Sequence, residues 1–206
     1  MSEIQFVGGK KVLVVVAHPD DETIWMGGTI LNNKNLDWTI YSLCRSSDMD
    51  REPKFKKVCA LYGAKAIISD LDDDDILDVE DATKEAEYLL AKNIADNNPD
   101  YLFTHGANGE YGHARHICVH RAINNLIKKK VIKPEAVFYF GYEKNDEDKL
   151  PLVLTGDKAD VIIKLDEETF LEKKRIVAEM YGYPYDGIDV SYCTNPEVFK
   201  ELKIKN

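Results

Sequence analysis

Two short clusters hold the groups that could do chemistry. The first is Ala17-His18-Pro19-Asp20-Asp21-Glu22, directly after the apolar run at residues 12–16. Pro19 has no N–H and biases His18 to extended geometry, so it ends a strand and suits a first helical turn. One carboxylate would suffice to cap that helix. Three carboxylates and an imidazole at one strand end repel each other unless a cation neutralises them, and imidazole with carboxylate suits zinc. One carboxylate can then ligate while its neighbour stays free as a base. The second cluster lies in His105–His120, where four of the five histidines fall. His113 and His116, three residues apart at the start of a helical pattern, share one helix face and can point into one space. Neither cluster alone makes a catalytic zinc site of three protein ligands and an open position. His18, Asp21 and one of His113 or His116 together would. His120 sits in an apolar helical stretch and reads as structural. His105, at a strand end, reads as a support for a ligand or a pocket wall.

Other chemistries lack their signatures. HExxH, the HxE…PCxxC deaminase pattern and GxSxG are absent, as are GxGxxG and the Walker motif. The lack of a glycine-rich turn weakens a nucleotide-binding oxidoreductase reading, and Gly27-Gly28 reads as close packing of a helix on the sheet. The four cysteines are scattered without a CxxC pair, so they read as reduced, buried thiols. The formal net charge of -10 argues against nucleic acid and anionic membranes as partners. Much of that charge lies in residues 70–81, which read as a solvated loop whose spacing is not that of an EF-hand.

The elements that must position these clusters follow from the apolar pattern. Short β-branched runs at residues 12–16, 38–43, 66–68, 101–103, 136–140 and 161–165 read as strands buried on both faces. Helical patterns at residues 24–33, 53–62, 81–95, 114–129 and 167–181 alternate with them. The expected fold is α/β: a Rossmann-like, mostly parallel sheet with helices on both faces, in one domain over residues 1–206. Residues 145–149 read as a surface loop, and the tail after residue 183 carries few signals. Ligands of such sheets bind beyond the carboxyl ends of the strands, where both clusters fall. No apolar run approaches the roughly 20 residues that span a bilayer. The run at residues 12–17 is too short for a signal-peptide core, so a cytoplasmic location is expected.

The run VLVVVAHPDDETIWMGGT (residues 12–29) resembles the opening strand and motif of the PIG-L/LmbE-like deacetylases, and YGHARH (residues 111–116) resembles that family's GHxxH element. Those enzymes hydrolyse the N-acetyl group of GlcNAc-containing molecules, including GPI-anchor, mycothiol and bacillithiol precursors. The resemblance implies a Rossmann-like fold and Zn²⁺ on His18, Asp21 and His116, with another divalent transition metal such as iron or cobalt on the same ligands as the variant case. It implies Asp20 as general base, His113 as oxyanion stabiliser or acid, and Arg51 as a substrate contact. The implied substrate is an N-acetylated amino-sugar small molecule, cleaved to acetate and a free amine, in a chain that is free to form a homo-oligomer. Three departures stand out. HARH replaces the frequent HPDH, which suggests Glu110 as the partner of His113 and Arg115 as a charge lowering its pKa. Trp25 stands where a glycine is common and could narrow the pocket or stack on a sugar. Lys54 stands where a glutamate is common after Arg51. The altered GHxxH element also motivates an alternative, a metal-containing sugar-binding protein without turnover.

Overall fold

The β-branched runs form five strands: β1 (Lys11–Val16), β2 (Asp37–Ser42), β3 (Lys65–Ile68), β4 (Tyr101–Thr104) and β5 (Ala136–Phe140). The computed structural model describes residues 6–94, 98–144, 151–153 and 158–204, so the loop expected at 145–149 lies outside the described residues. The five strands are parallel and lie in the order β3-β2-β1-β4-β5. The helices are α1 (Asp21–Asn32), α2 (Arg51–Tyr62), α3 (Val79–Ile94), the short α4 (Gly109–Gly112) and α5 (Ala114–Lys128). Every residue of β1 after the first is buried, because each face of the sheet carries helices. Val12, Val14 and Val16 pack with Ile24 and Ile30 of α1 and Phe55 and Val58 of α2. Leu13 and Val15 pack with Leu90 of α3 and Val119 and Ile123 of α5. The expected α/β architecture is present.

The C-terminal part departs from the expected pattern. After a two-stranded antiparallel ribbon, β6 (Tyr142–Lys144) and β7 (Pro151–Val153), come β8 (Val161–Ile163) and α6 (Glu167–Arg175). The chain continues through a π-helical turn (Ile176–Met180) and α7 (Ile188–Ser191) to β9 (Glu197–Lys203). β9 inserts antiparallel between β5 and β8, extending the sheet to seven strands.

Glu197 shows why that strand matters. Helix α1 kinks at Met26 (φ -150°, ψ 17°), which opens a second helix start at Gly28 and Thr29. The buried Glu197 carboxylate accepts from Gly28 N at 2.9 Å, Thr29 N at 2.7 Å and Thr29 Oγ1 at 2.6 Å. Lys173 Nζ of α6 completes the cluster at 2.7 Å, with both charged side chains fully buried. Gly28 is therefore needed against Leu165 rather than against the sheet: a Cβ there would lie 2.3 Å from Leu165 Cδ1. The four cysteines are free and buried. Among the described residues, no helix is long and apolar enough to cross a membrane.

Candidate active site

The chain leaves β1 toward β2 and β3 on one side and later returns to β4 on the other. This switch opens a crevice beyond the carboxyl ends of β1 and β4. The β1–α1 turn delivers His18, Asp20 and Asp21 there, and the β4–α5 connection delivers His105, Glu110, His113 and His116. Three donor atoms converge: His18 Nδ1 is 3.2 Å from Asp21 Oδ2, and His116 Nε2 is 3.4 Å from each. Tetrahedral bonds of about 2.0–2.2 Å put ligand atoms about 3.3–3.6 Å apart, so this triangle has the spacing of one ion's ligands.

Each of the three is also held from behind. His18 Nε2 donates to Asp73 Oδ1 at 2.9 Å, which leaves the Nδ1 lone pair facing inward. His116 Nδ1 donates to Glu110 Oε2 at 2.6 Å, which leaves Nε2 inward. Trp25 Nε1 donates to the outer oxygen of Asp21, Oδ1, at 3.0 Å. Carboxylates on the far nitrogens of ligating histidines fix tautomer and ring orientation. Burial works against ionisation of Asp21, yet His116 and the other imidazoles around it hold its carboxyl well below the usual range. The donor set, its spacing and its buried supports fit a divalent metal.

Glu110 organises the second cluster. Its carboxylate also accepts from His105 Nδ1 at 2.8 Å and from Gly106 N at 2.7 Å. Burial opposes its charge, but His105 and His116 hold its carboxyl down at about 2. Ala17 N donates to His105 Nε2 at 3.0 Å, which requires that nitrogen to be unprotonated. His105 is thus a support for the site and His120 a structural residue, its Nδ1 donating to His105 O at 2.9 Å.

Asp20 stands beside the triangle without joining it. Its Oδ2 accepts from Arg51 Nη1 at 2.8 Å and from the Tyr183 hydroxyl. Arg51 stacks over the Tyr183 ring, 5.1 Å from its centroid. Burial, then the charge of Asp21, pushes the Asp20 carboxyl up to about 6, against the pull of Arg51. Asp20 N donates to Glu22 Oε2 at 3.1 Å, and Glu22 in turn accepts from Thr23 and from Tyr181 at 2.7 Å.

His113 caps helix α5: its Nδ1 accepts from Arg115 N at 3.2 Å, so the proton sits on Nε2. Its ring lies 4.7 Å from that of His18 and 4.6 Å from that of His116. Burial, then positive charge on His116 and His18, lowers it to about 4. A cleft of about 620 Å³, lined in part by His18, Asp20, Asp21, Arg51 and His113, opens over these groups.

Four sequence readings need correction. The partners of Glu110 are His105 and His116, not His113. Arg115 is buried away from His113 and donates to Asp72 Oδ2 at 2.7 Å, so burial and imidazole charge lower His113 instead. Residues 70–81 are not wholly a solvated loop, because Asp73 takes His18 and Arg45, and Asp72 takes Arg115. Trp25 is buried to 1% exposure with its N–H on Asp21, so its chief contact is a carboxylate rather than open space for a sugar. Lys54 pairs with Asp50. Sequence reasoning gave no role at the site to Asp73, Tyr181 or Tyr183, which reach it only through tertiary contacts.

Comparison with known proteins adds an independent line. The family model described as GlcNAc-PI de-N-acetylase (PIG-L) matches residues 13–127, just over half the chain. That span contains His18, Asp20, Asp21, Arg51, His113 and His116. The N-acetylglucosaminyl-phosphatidylinositol de-N-acetylase of Bos taurus is 28% identical over 129 residues, 58% of this chain and 51% of that protein. The chain therefore spans about half the length of this curated relative. The A40926 pseudoaglycone deacetylase Dbv21 shares the fold at TM-score 0.65 and 12% identity, covering 96% of this chain and 99% of Dbv21. The 4-carboxy-2-hydroxymuconate hydratase GalB of Pseudomonas putida shares it at TM-score 0.68 and 14% identity, covering 96% and 98%. The conserved protein TT1542 of Thermus thermophilus does so at 0.62 and 19%, covering 84% and 78%. A deacetylase and a hydratase on one scaffold mean that the fold does not select the reaction; the site must.

Proposed function

Because the chain belongs to the GlcNAc-PI de-N-acetylase (PIG-L) family, we propose that it is a metal-dependent amidohydrolase that removes the acetyl group from an N-acetylated amino sugar. Its ligands are His18, Asp21 and His116, and Zn²⁺ is the ion. The observation that carries this reading is the 3.2–3.4 Å triangle of inward donor atoms with a buried carboxylate, Asp20, beside it and outside it. A divalent cation held there polarises the acetyl carbonyl and lowers the pKa of water from 15.7 toward about 7.

The protein's own groups supply the rest. Arg51 and Tyr183 both bond Asp20 Oδ2 and so turn Oδ1 toward the attacking water, whose proton it accepts. Held near 6, the Asp20 carboxylate is ionised at neutral pH yet basic enough to take that proton. Arg51 thus orients the base as well as forming one wall of the cleft. His113 donates its Nε2–H to the acetyl oxygen as negative charge builds there. A group lowered to about 4 is a neutral donor, not a proton source. The proton that lets the amine leave therefore comes from Asp20, which ends the cycle as a carboxylate. One water and one amide give acetate and a free amine. A protein that only bound a sugar would have no use for a base set in strained backbone, Asp20 having φ 123°.

The test is elemental analysis of chelator-free protein together with acetate release from N-acetylglucosamine conjugates. One metal per chain, lost in His18→Ala and His116→Ala along with turnover, is the expected result. Unchanged metal content in both variants would refute the ligand assignment.

A further inference from the structure

The proposed chemistry leaves one wall of the cleft without a task. Tyr111, in α4, lies 5.6 Å centroid to centroid from the His116 ring and 5.8 Å from the His113 ring. Tyr192, just after α7, lies 5.2 Å from Tyr111. Beneath Tyr192 is the buried Trp25 ring, near-parallel at 6.0 Å. Trp25 is itself pinned by its N–H on Asp21 and by Tyr142, whose hydroxyl donates to Trp25 O at 3.0 Å. The two half-exposed tyrosine rings therefore rest on a fixed base and lose little freedom when a ligand arrives.

Asp189 of α7 lines the same cleft. Among the described residues, its carboxylate and the hydroxyls of Tyr111 and Tyr192 have no hydrogen-bond partner. An aromatic surface edged by spare acceptors and donors complements a ligand with an apolar face and a hydroxylated rim. A pyranose ring is such a ligand, with C–H bonds on its face and hydroxyls around its edge. The wall starts within about 6 Å of the imidazoles, so a sugar lying on it can place a ring-borne acetamide over the metal ligands.

We propose that Tyr111, Tyr192 and Asp189 form the subsite that binds the sugar ring, with the tyrosine rings against its C–H face and Asp189 accepting from its hydroxyls. This rests on the deacetylase reading for the position of the acetamide. It further assigns ring selectivity to the segment at residues 188–192, outside the stretch at 13–127 that the family shares.

The experiment measures kcat/KM for acetate release by the metal-loaded protein on methyl N-acetylglucosaminide and on N-acetylethanolamine, an amide without a ring. The readout is the ratio of the two. Tyr192→Ala and Asp189→Asn should each lower that ratio about 10-fold or more, since each removes contacts only the ring makes. Tyr185→Ala, an exposed tyrosine bonded to Glu179, is the control and should leave the ratio at the wild-type value. A wild-type ratio in both Tyr192→Ala and Asp189→Asn, or the same fall in the control, overturns the subsite. Saturation-transfer NMR with methyl glucosaminide reads the subsite without turnover: ring C–H signals should appear with wild type and vanish with Tyr192→Ala. If no amide is cleaved yet those signals behave as expected, the deacetylase reading fails while the subsite stands; if the signals persist in Tyr192→Ala, the subsite fails.

Discussion

Replacing Glu110 by glutamine removes one charge and changes almost no volume, so it isolates what the carboxylate does for the metal site. Three donors converge on Glu110: His105 Nδ1 and His116 Nδ1 on Oε2, and Gly106 N on Oε1. A glutamine has a single oxygen. If that oxygen faces the imidazoles, the amide NH₂ meets the Gly106 N–H. If it faces Gly106, the NH₂ meets two imidazole N–H groups, and His116 can restore a bond only by moving its proton to Nε2, the atom in the donor triangle. Neither arrangement satisfies the buried donors.

The size of the effect follows. Loss of a carboxylate behind a ligating histidine costs about 10- to 100-fold in metal affinity. A buried donor left unsatisfied costs about 1–3 kcal/mol of stability in the metal-free protein. The assay is competition against a chelator of known affinity, with urea denaturation of the metal-free protein measured beside it. The expected result is a weaker metal complex in a folded protein of lower stability. A metal affinity within about twofold of wild type would refute the claim that Glu110 sets the His116 tautomer.

Other variants separate the remaining roles. Asp20→Asn should keep the metal and lose about 10²- to 10⁴-fold in kcat; release of the metal would make Asp20 a ligand instead. His113→Ala should keep the metal and lower kcat by about 10²-fold or more, whereas loss of metal here with retention in His116→Ala would exchange the two roles. Lys173→Met leaves Glu197 buried without its countercharge, so denaturant unfolding should show a loss of about 3–5 kcal/mol; a stability near wild type would mean that the Gly28 and Thr29 donors alone suffice to hold the Glu197 side chain. In metal-free protein, burial opposes the His18 charge, but hydrogen bonds to Asp21 and Asp73 raise it to about 9, above an unfolded value of about 6.5. Its contribution is then fully present below about pH 6.5 and lost as pH rises through 9. Unfolding midpoints with chelator should fall over that window, and a flat profile would contradict the raised value.

What the sequence made legible was whatever spacing alone can encode. His18 and Asp21 share one turn, and His113 and His116 share one helix face, so local geometry brings each pair together before any tertiary contact forms. The parallel core was legible because strands covered on both faces must be apolar at every position, as in β1. β9 was not. In Glu197-Val198-Phe199-Lys200-Glu201-Leu202-Lys203 charged residues bracket a single apolar pair and isolate Leu202, and the segment becomes a strand only because β5 and β8 offer open edges. Asp73 was hidden for a related reason. Within an acidic run it looks like its solvated neighbours, and only the path of the β3–α3 connection places it on His18, 55 positions earlier.

Backbone strain marks two residues of the site, Asp20 and Glu110. Asp20 has φ 123° and Glu110 has φ 57°, both in the region where glycine costs least. Glycine at either place would relieve about 1–3 kcal/mol of strain, yet neither position can spare its side chain. Asp20 is the carboxylate beside the donor triangle, and Glu110 holds the far nitrogen of His116. Each conformation is held by its surroundings. Glu22 takes the Asp20 N–H, and the Asp20 carbonyl accepts from Thr23 N and Ile24 N at 2.9 Å each. Glu110 is fixed by its bonds to Gly106, His105 and His116. The strained turn at Asp20 lets His18 and Asp21 meet in the donor triangle while Asp20 turns to Arg51 and Tyr183. A relaxed helical turn would carry Asp20 round with its neighbours and take its carboxylate away from Arg51 and Tyr183.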